Sequence, residues 1–181
     1  MRKLTIFFLF FVLAKSASAQ FDLTINPVSL LFSSVDISGE YGIKPSFGLE
    51  GTLGYDYGGY SVGDIDVKNQ GIGIRLIGKY YFNPNRNIDK FNIGPYVKFA
   101  TRKGKYEDGV STSNITNSRF AVGFYVGYKW VSAGRFVFEL GLGAGRAFVN
   151  KYSSDDESID LEDFPLLKID GTGKLAIGYR F

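Results

Sequence analysis

From Phe21 to the last residue, large apolar side chains alternate with small or polar ones. In the clearest stretch, residues 35–43, the odd positions hold Val, Ile, Gly, Tyr and Ile, and the even positions hold Asp, Ser, Glu and Gly. Alternation with a period of two residues indicates β-strands that have one apolar and one polar face. The pattern predicts eight strands, over residues 21–25, 35–43, 47–57, 72–82, 91–101, 120–130, 136–144 and 167–181.

The connections between these strands alternate between short and long. The short ones are residues 44–46, 83–90 and 131–135, and the long polar ones are residues 58–70, 103–119 and 150–165. This alternation predicts an up-and-down antiparallel sheet that has all its short connections at one end. Residues 104–118, rich in Ser, Thr, Asn and Gly, are expected to form a mobile surface loop.

Two prolines give local expectations. Pro27 cannot donate to a strand ladder, so it is expected to end the first strand. The connection that follows it, near residues 32–34, is tight although it falls at the end that has the long connections. Pro95 lies inside a strand pattern, so it predicts either a bulge or a missing ladder hydrogen bond.

The two faces decide whether such a barrel suits water or a membrane. The polar face is rich in glycine, whereas the outside of a barrel in water would be mostly Lys, Glu and Thr. The interior of an eight-stranded barrel is only about wide enough for side chains to fill it, so small residues belong inside. Strands of about 9–11 residues, tilted by roughly 40°, also match an apolar band about 25 Å tall. We therefore predict an all-β, eight-stranded, antiparallel up-and-down transmembrane β-barrel.

Aromatic residues gather at the strand ends next to the short connections. The chain has 17 Phe and 12 Tyr, and β-propensity explains their number but not their position. Aromatic rings favour the interface between membrane and water, so these residues are predicted to form a girdle. The predicted girdle consists of Tyr41, Phe47, Phe82, Phe91, Tyr128, Trp130 and Phe136.

The first 19 residues differ from the rest of the chain. Arg2 and Lys3 precede an apolar run over residues 4–14, and Ala17-Ser18-Ala19 then gives a small-x-small cleavage pattern. The run is too short for the roughly 20 residues of a transmembrane helix. We therefore predict a cleaved signal peptide over residues 1–19 and a barrel domain over residues 20–181.

Removal of this leader changes the charge of the chain. The full sequence has 21 Lys and Arg against 18 Asp and Glu, and the leader holds three of the basic residues, Arg2, Lys3 and Lys15. Without the leader the two numbers are equal. The remaining chain therefore has no basic excess to suggest nucleic acid as a partner.

Charged residues on the polar face are expected to point into the lumen, where acidic and basic residues occur in equal numbers. Buried charges are tolerated when they are paired, which favours a plug of salt bridges. If the same network could rearrange, it would instead form a narrow polar pore. The predicted lumen network consists of Glu40, Glu50, Arg75, Lys79, Lys98, Lys129, Glu139 and Arg180.

The mature chain resembles the small outer-membrane β-barrel proteins of Gram-negative bacteria. Its last eight residues, 174–181, look like the C-terminal strand of that family, because they alternate and end in Phe with an aromatic residue two positions earlier. The resemblance implies that the barrel-assembly machinery recognises Tyr179 and Phe181 during insertion. Gln20, Asn26-Pro27 and the stretch from Leu30 to Tyr41 look similar to an uncharacterised barrel family of Bacteroidota.

This resemblance implies a location in the bacterial outer membrane, with lipid and lipopolysaccharide as neighbours. The short connections and both mature ends are then expected in the periplasm, and the long connections outside the cell. We expect a structural or surface-interaction role through the extracellular loops, with a small solute pore as the alternative. A lipid-modifying enzyme is a more distant alternative, because similar enzymes usually depend on His and this chain has none.

The composition limits other chemistry. The absence of His and Cys removes thiolate and imidazole catalysis, and we expect no catalytic residue, cofactor or metal. The carboxylates of Glu40, Glu50 and Glu139 could in principle act as an acid–base pair, but the surrounding Lys and Arg favour ion pairs. The acidic connection over residues 155–163 lacks the glycine of an EF-hand turn, so it is expected to be solvated rather than to bind calcium.

Overall fold

The computed structural model describes residues 20–62, 65–107, 112–154, 158–160 and 168–181. The predicted signal peptide over residues 1–19 lies outside the described residues. Most of the acidic connection also lies outside them, since only the backbone of Ser158–Asp160 is described there. The described chain is almost entirely β-strand.

Ten strands and one short helix occur in the described part of the chain. A 3₁₀ helix over Pro27–Phe32 lies between the first two strands. The strands are β1 (Phe21–Ile25), β2 (Ser34–Lys44), β3 (Phe47–Asp56), β4 (Gly59–Val62), β5 (Ile65–Tyr81), β6 (Lys90–Glu107), β7 (Thr112–Val131), β8 (Phe136–Ser154), β9 (Ser158–Asp160) and β10 (Ile169–Arg180). None of the described helices is long and apolar enough to cross a membrane.

Eight of these strands close into a barrel. β1, β2, β3, β5, β6, β7, β8 and β10 pair in sequence order, and every pairing is antiparallel. β10 pairs with β1 on its other side, with Leu23 opposite Tyr179, and this contact closes the barrel. The short strands β4 and β9 pair with β5 and β8 beyond the closed part. The predicted eight-stranded up-and-down barrel is thus confirmed.

The long connections contain more strand than the sequence pattern predicts. The prediction of a loop over residues 104–118 is wrong for all the described residues of that range. β6 and β7 continue through it, with Lys103 opposite Thr116 and Tyr106 opposite Ser113. β5 likewise reaches into the expected loop over residues 58–70, as does β8 into that over residues 150–165. Ladder hydrogen bonds hold these extensions whether or not one face is apolar, so apolar alternation does not mark them.

The first connection also differs from the tight turn that was expected. Pro27 starts the 3₁₀ helix, where its fixed φ and missing N–H are harmless, and Ser33 ends the helix in the left-handed region with φ 52°. Pro95 causes no bulge. The register of β5 and β6 is the same on both sides of it, but the pairing is interrupted between Ile77–Tyr96 and Tyr80–Ile93. The missing-hydrogen-bond alternative is therefore the correct one.

The barrel has an apolar outside and a polar inside. Large apolar side chains stand on the outward faces of all eight barrel strands, among them Ile72, Phe124 and Leu142, which are 62–72% exposed. Most charged residues on the opposite faces are buried, and Glu50, Lys79 and Glu139 have no exposed surface. This distribution is the reverse of that in a barrel built for water.

Candidate functional site

The centre of the lumen holds an ammonium group surrounded by three carboxylates. Lys79 on β5 points inward, and its Nζ lies 3.0 Å from Glu40, 2.5 Å from Glu50 and 2.5 Å from Glu139. Glu40 on β2 and Glu50 on β3 are direct cross-strand neighbours. Like charges opposite each other destabilise a sheet, so the Lys79 ammonium between them removes that repulsion.

Further cations extend this centre into one connected cluster. Lys174 on β10 bridges Glu50 and Glu139, at 2.5 and 2.9 Å. Lys129 on β7 bridges Glu40 and Asp22, at 2.5 and 2.9 Å, and Arg180 binds Asp22 through two hydrogen bonds of 2.6 and 2.7 Å. We call this group the neutral cluster: Asp22, Glu40, Glu50, Lys79, Lys129, Glu139, Lys174 and Arg180.

The neutral cluster satisfies the conditions under which buried charge is tolerated. It contains four acidic and four basic side chains, so its net charge is zero. Every member is at least 95% buried, and every carboxylate contacts at least two cationic groups. Buried ions that are paired and hydrogen-bonded in this way avoid the cost of an isolated charge.

The neutral cluster differs in membership from the predicted lumen network. Six of the eight predicted residues belong to it, namely Glu40, Glu50, Lys79, Lys129, Glu139 and Arg180. Arg75 and Lys98 do not, because they lie higher on β5 and β6, toward the long connections. Asp22 and Lys174 take part as well, although the predicted network does not include them.

Aromatic rings fill the lumen beside the charges, which sequence reasoning missed. The hydroxyl of Tyr81 donates to Glu40 at 2.6 Å, and that of Tyr125 donates to Glu139 at 3.0 Å. Tyr125 packs with Ile77 and Tyr96 in a buried apolar group on the side toward the long connections. All four residues occupy inward positions by strand parity. The alternation of inward and outward positions along each strand could therefore have identified them. The many glycines on the same face had suggested that only small and charged residues point inward.

The short connection between β5 and β6 covers the lumen at the short-connection end of the barrel. Ile88 of this turn is completely buried and packs near Gly42 of β2. Arg180 donates to the backbone carbonyls of Arg86 and Ile88, at 2.5 and 2.9 Å, while it also binds Asp22. The turn is thereby attached to the neutral cluster, and this end of the lumen is covered.

The part of the lumen toward the long connections differs in charge. Arg75 and Lys98 are direct neighbours on β5 and β6. Lys98 reaches Asp170 on β10 at 3.1 Å, and Arg119 on β7 reaches the same carboxylate at 3.4 Å. The Tyr96 hydroxyl also donates to Asp170 at 2.8 Å. We call this region, above the neutral cluster, the upper vestibule.

The predicted girdle residues all stand on the outside of the barrel near the short connections. Their exposed fractions lie between 37% and 68%. Rings on neighbouring strands contact each other, with centroids 5.5 Å apart for Phe82 and Phe91 and 6.0 Å apart for Phe136 and Tyr179. Phe181 continues the row between Tyr179 and Phe21. The arrangement forms an outward aromatic belt around one end.

Three carboxylates of the neutral cluster lie as close together as the ligands of a metal ion. Oxygen atoms of Glu40, Glu50 and Glu139 lie within 4.8 Å of one another, which is close enough to share a cation. The Lys79 nitrogen already contacts all three groups. The three carboxylates therefore complete an ion cluster, whose central cation is a lysine.

Comparisons with known proteins agree with this architecture. The model of a family described as "Protein of unknown function (DUF3575)" matches residues 4–162. Among solved structures, a major outer membrane protein from Thermus thermophilus is similar, with a TM-score of 0.60 and 14% sequence identity. The match covers 91% of this chain and 100% of that one. No curated protein sequence matches the chain. At this identity the likeness shows a shared barrel fold.

Proposed function

Since this chain belongs to the DUF3575 family, whose description names no activity, we propose its function from the geometry. The protein is an integral barrel of the bacterial outer membrane with a closed lumen. It presents its long hairpins outside the cell in a structural or surface-interaction role. Outer-membrane lipid and lipopolysaccharide are its solvent, and the expected signal peptide directs its export.

The reversed distribution of apolar and charged side chains carries this proposal. Exposed apolar residues surround the barrel on every strand, and a monomer in water rarely shows a continuous apolar surface of that extent. A closed barrel also satisfies all its ladder hydrogen bonds internally, which the hydrocarbon core of a membrane requires. The outward aromatic belt fits the interface at one side of such a membrane.

The interior supports a closed lumen rather than a pore. The neutral cluster crosses the barrel from β1 and β2 to β7 and β8, and the rings of Tyr81 and Tyr125 occupy space beside it. The turn with Ile88 covers the end below. The absence of His and Cys from the sequence supports a non-enzymatic role.

The lengths of the strands support a role outside the membrane. About 9–11 residues suffice for a tilted strand to cross a bilayer. β6 and β7 have 18 and 20 residues, and β8 has 19, whereas β10 has 12. The excess lies at the long-connection end, so a paired sheet projects beyond the barrel there.

Labelling of single cysteines tests the location and orientation. The native chain has no cysteine, so Ser153→Cys at the long-connection end and Ala133→Cys at a short connection can each be labelled alone. Both sites are exposed. In intact cells, a membrane-impermeant maleimide should label Ser153→Cys, and Ala133→Cys only after the outer membrane is permeabilised. Labelling of Ala133→Cys in intact cells, or recovery of the protein in a soluble fraction, would contradict the proposal.

We propose further that the C-terminal strand serves as the insertion signal. Tyr179 and Phe181 lie in the outward aromatic belt with ring centroids 5.3 Å apart, where an assembly partner would meet them. Phe181→Ala should slow assembly in cells but leave folding into pure lipid vesicles nearly unchanged. Equal slowing in both settings would assign Phe181 to barrel stability alone.

A further inference from the structure

The upper vestibule has an excess of positive charge, unlike the neutral cluster below it. Arg75, Lys98 and Arg119 come from three consecutive barrel strands, and a single carboxylate, that of Asp170, contacts Lys98 and Arg119. Arg75 and Lys98 stand directly opposite each other on β5 and β6. Two like charges in this arrangement destabilise a sheet unless something of opposite charge lies between them.

Of these three cations, Arg75 is the one without a carboxylate partner among the described residues. Its guanidinium donates to the hydroxyls of Thr52, at 3.4 Å, and Thr172. Its Nε is buried and has no hydrogen-bond partner, and the whole residue is only 8% exposed. An arginine fork has five donors that match the oxygens of an anion, and neutral hydroxyls compensate a buried guanidinium poorly.

A cavity of about 190 Å³ lies against this arginine. Lys98 and Arg102 line it as well, and the side chains become more exposed toward the long connections, from 25% for Lys98 to 55% for Arg102. Among the described residues, the cavity therefore opens at that end, and it ends at Arg75, just above the neutral cluster. Its size suits a small anion with a few water molecules.

Two acidic residues also line this cavity, and only one of them pairs with a cation among the described residues. Asp56 binds the Arg102 side chain at 2.6 Å, which neutralises that cation. Asp36 on β2 accepts weak hydrogen bonds of 3.5 Å from the Asn26 amide and the Ser34 hydroxyl. Neither has an ion pair with Arg75 or Lys98 among the described residues. Among the described residues, the wall formed by β5 and β6 thus keeps one cation without a carboxylate partner, Arg75.

We propose that the upper vestibule binds a small oxyanion between Arg75 and Lys98. A phosphate, sulfate or carboxylate group there would accept from the Arg75 guanidinium and separate the two like charges. The inference depends on the barrel fold but not on the closed lumen, so it survives if the barrel conducts ions. It also holds whichever surface role the hairpins have.

Arginine resonances give a direct readout of binding. The barrel is labelled with ¹⁵N, refolded in octyl glucoside micelles, which contain no phosphate, and titrated separately with inorganic phosphate, sulfate and acetate. The Arg75 Nε–H signal is assigned by its loss in Arg75→Gln. It should shift saturably with a dissociation constant of about 1 mM, and the signal of Arg135, exposed at the opposite end, should not. Phosphate and sulfate acting alone would indicate a tetrahedral oxyanion, and acetate alone a carboxylate.

Two variants separate a built site from diffuse attraction. Arg75→Gln should weaken binding, followed through the backbone amides of β5 and β6, by at least about tenfold. Gly73→Val keeps Arg75 but projects a side chain into the cavity, where a Cβ meets only ordinary contacts, of 3.8 Å and longer. It should abolish the shift of the Arg75 signal. Heat-modifiable gel mobility shows that each variant is folded.

Three results would overturn the inference. The first is a wild-type Arg75 signal that does not saturate with any of the three anions. The second is an equal shift of the Arg135 signal, and the third is an unchanged shift in folded Gly73→Val. Because the wild type and Gly73→Val both retain the Arg75 signal, the outcome does not depend on whether Arg75→Gln folds.

Discussion

Single residues in the lumen hold their positions through several partners at once. Glu139 is the clearest case, because it accepts from Lys79, Lys174 and Tyr125 and has no exposed surface. A buried ion pair adds little stability relative to an apolar pair of the same shape. Removal of one member, however, leaves its partners charged, buried and with one counter-charge fewer. A single substitution therefore lowers the free energy of unfolding strongly.

Glu139→Ala should lower the free energy of unfolding by about 3–5 kcal/mol, because it leaves buried ammonium groups with fewer counter-charges. The measurement is the urea midpoint of the barrel in lipid vesicles. Asp56→Ala is the matched control, since it removes a carboxylate whose partner Arg102 is 55% exposed. The control should cost no more than about 1 kcal/mol. Equal midpoints for the two variants would contradict a tightly paired cluster.

Gly141→Ala tests the packing of the tyrosine beside that cluster. A Cβ on Gly141 would overlap the ring and hydroxyl of Tyr125, which would have to move away from Glu139. We expect a loss of about 1–3 kcal/mol in the free energy of unfolding in vesicles. Gly73→Ala, whose Cβ has ordinary contacts, should change it by less than about 1 kcal/mol. A Gly141→Ala barrel as stable as the wild type would mean that Tyr125 has room to move.

At the scale of elements, the sequence predicts those strands that have one apolar face and one small or polar face. Within the barrel, alternation identifies all eight strands, because outward positions are apolar and inward positions are small or charged. Beyond the barrel, residues 103–107 and 112–119 show no apolar alternation in the sequence, so they look like loop although they pair. The lumen charges were predicted as a class. Their grouping was not, because it depends on the relative heights of distant strands such as β1 and β7.

An arginine in the middle of the outward face tests which solvent the barrel meets. Leu142→Arg on β8, at a position that is 72% exposed, should destabilise the barrel in vesicles by about 2–4 kcal/mol. Phe148→Arg on the same strand should cost only about 0–1 kcal/mol, because it lies beyond Arg146, which is itself exposed. Equal, small costs at both positions would show that the mid-barrel surface does not face hydrocarbon.

As a whole, the molecule has two different ends. At the short-connection end, the turn with Ile88 and the neutral cluster cover the lumen, and the outward aromatic belt surrounds it. At the other end, the upper vestibule opens toward the long connections among the described residues, and the hairpins of β5 to β8 project. The asymmetry fits a barrel that is sealed on one side of a membrane and presents its surface on the other. It requires that no continuous path of water cross the barrel.

Conductance of the refolded mature barrel in a planar bilayer tests this closure most directly. A heat-modifiable gel shift first establishes that the barrel is folded, and a general porin added afterwards shows that the bilayer reports channels. We expect no discrete current steps from the folded protein, because the neutral cluster, Tyr81 and Tyr125 fill its cross-section. Reproducible single-channel steps from the folded barrel would contradict the closed lumen and identify the protein as a pore.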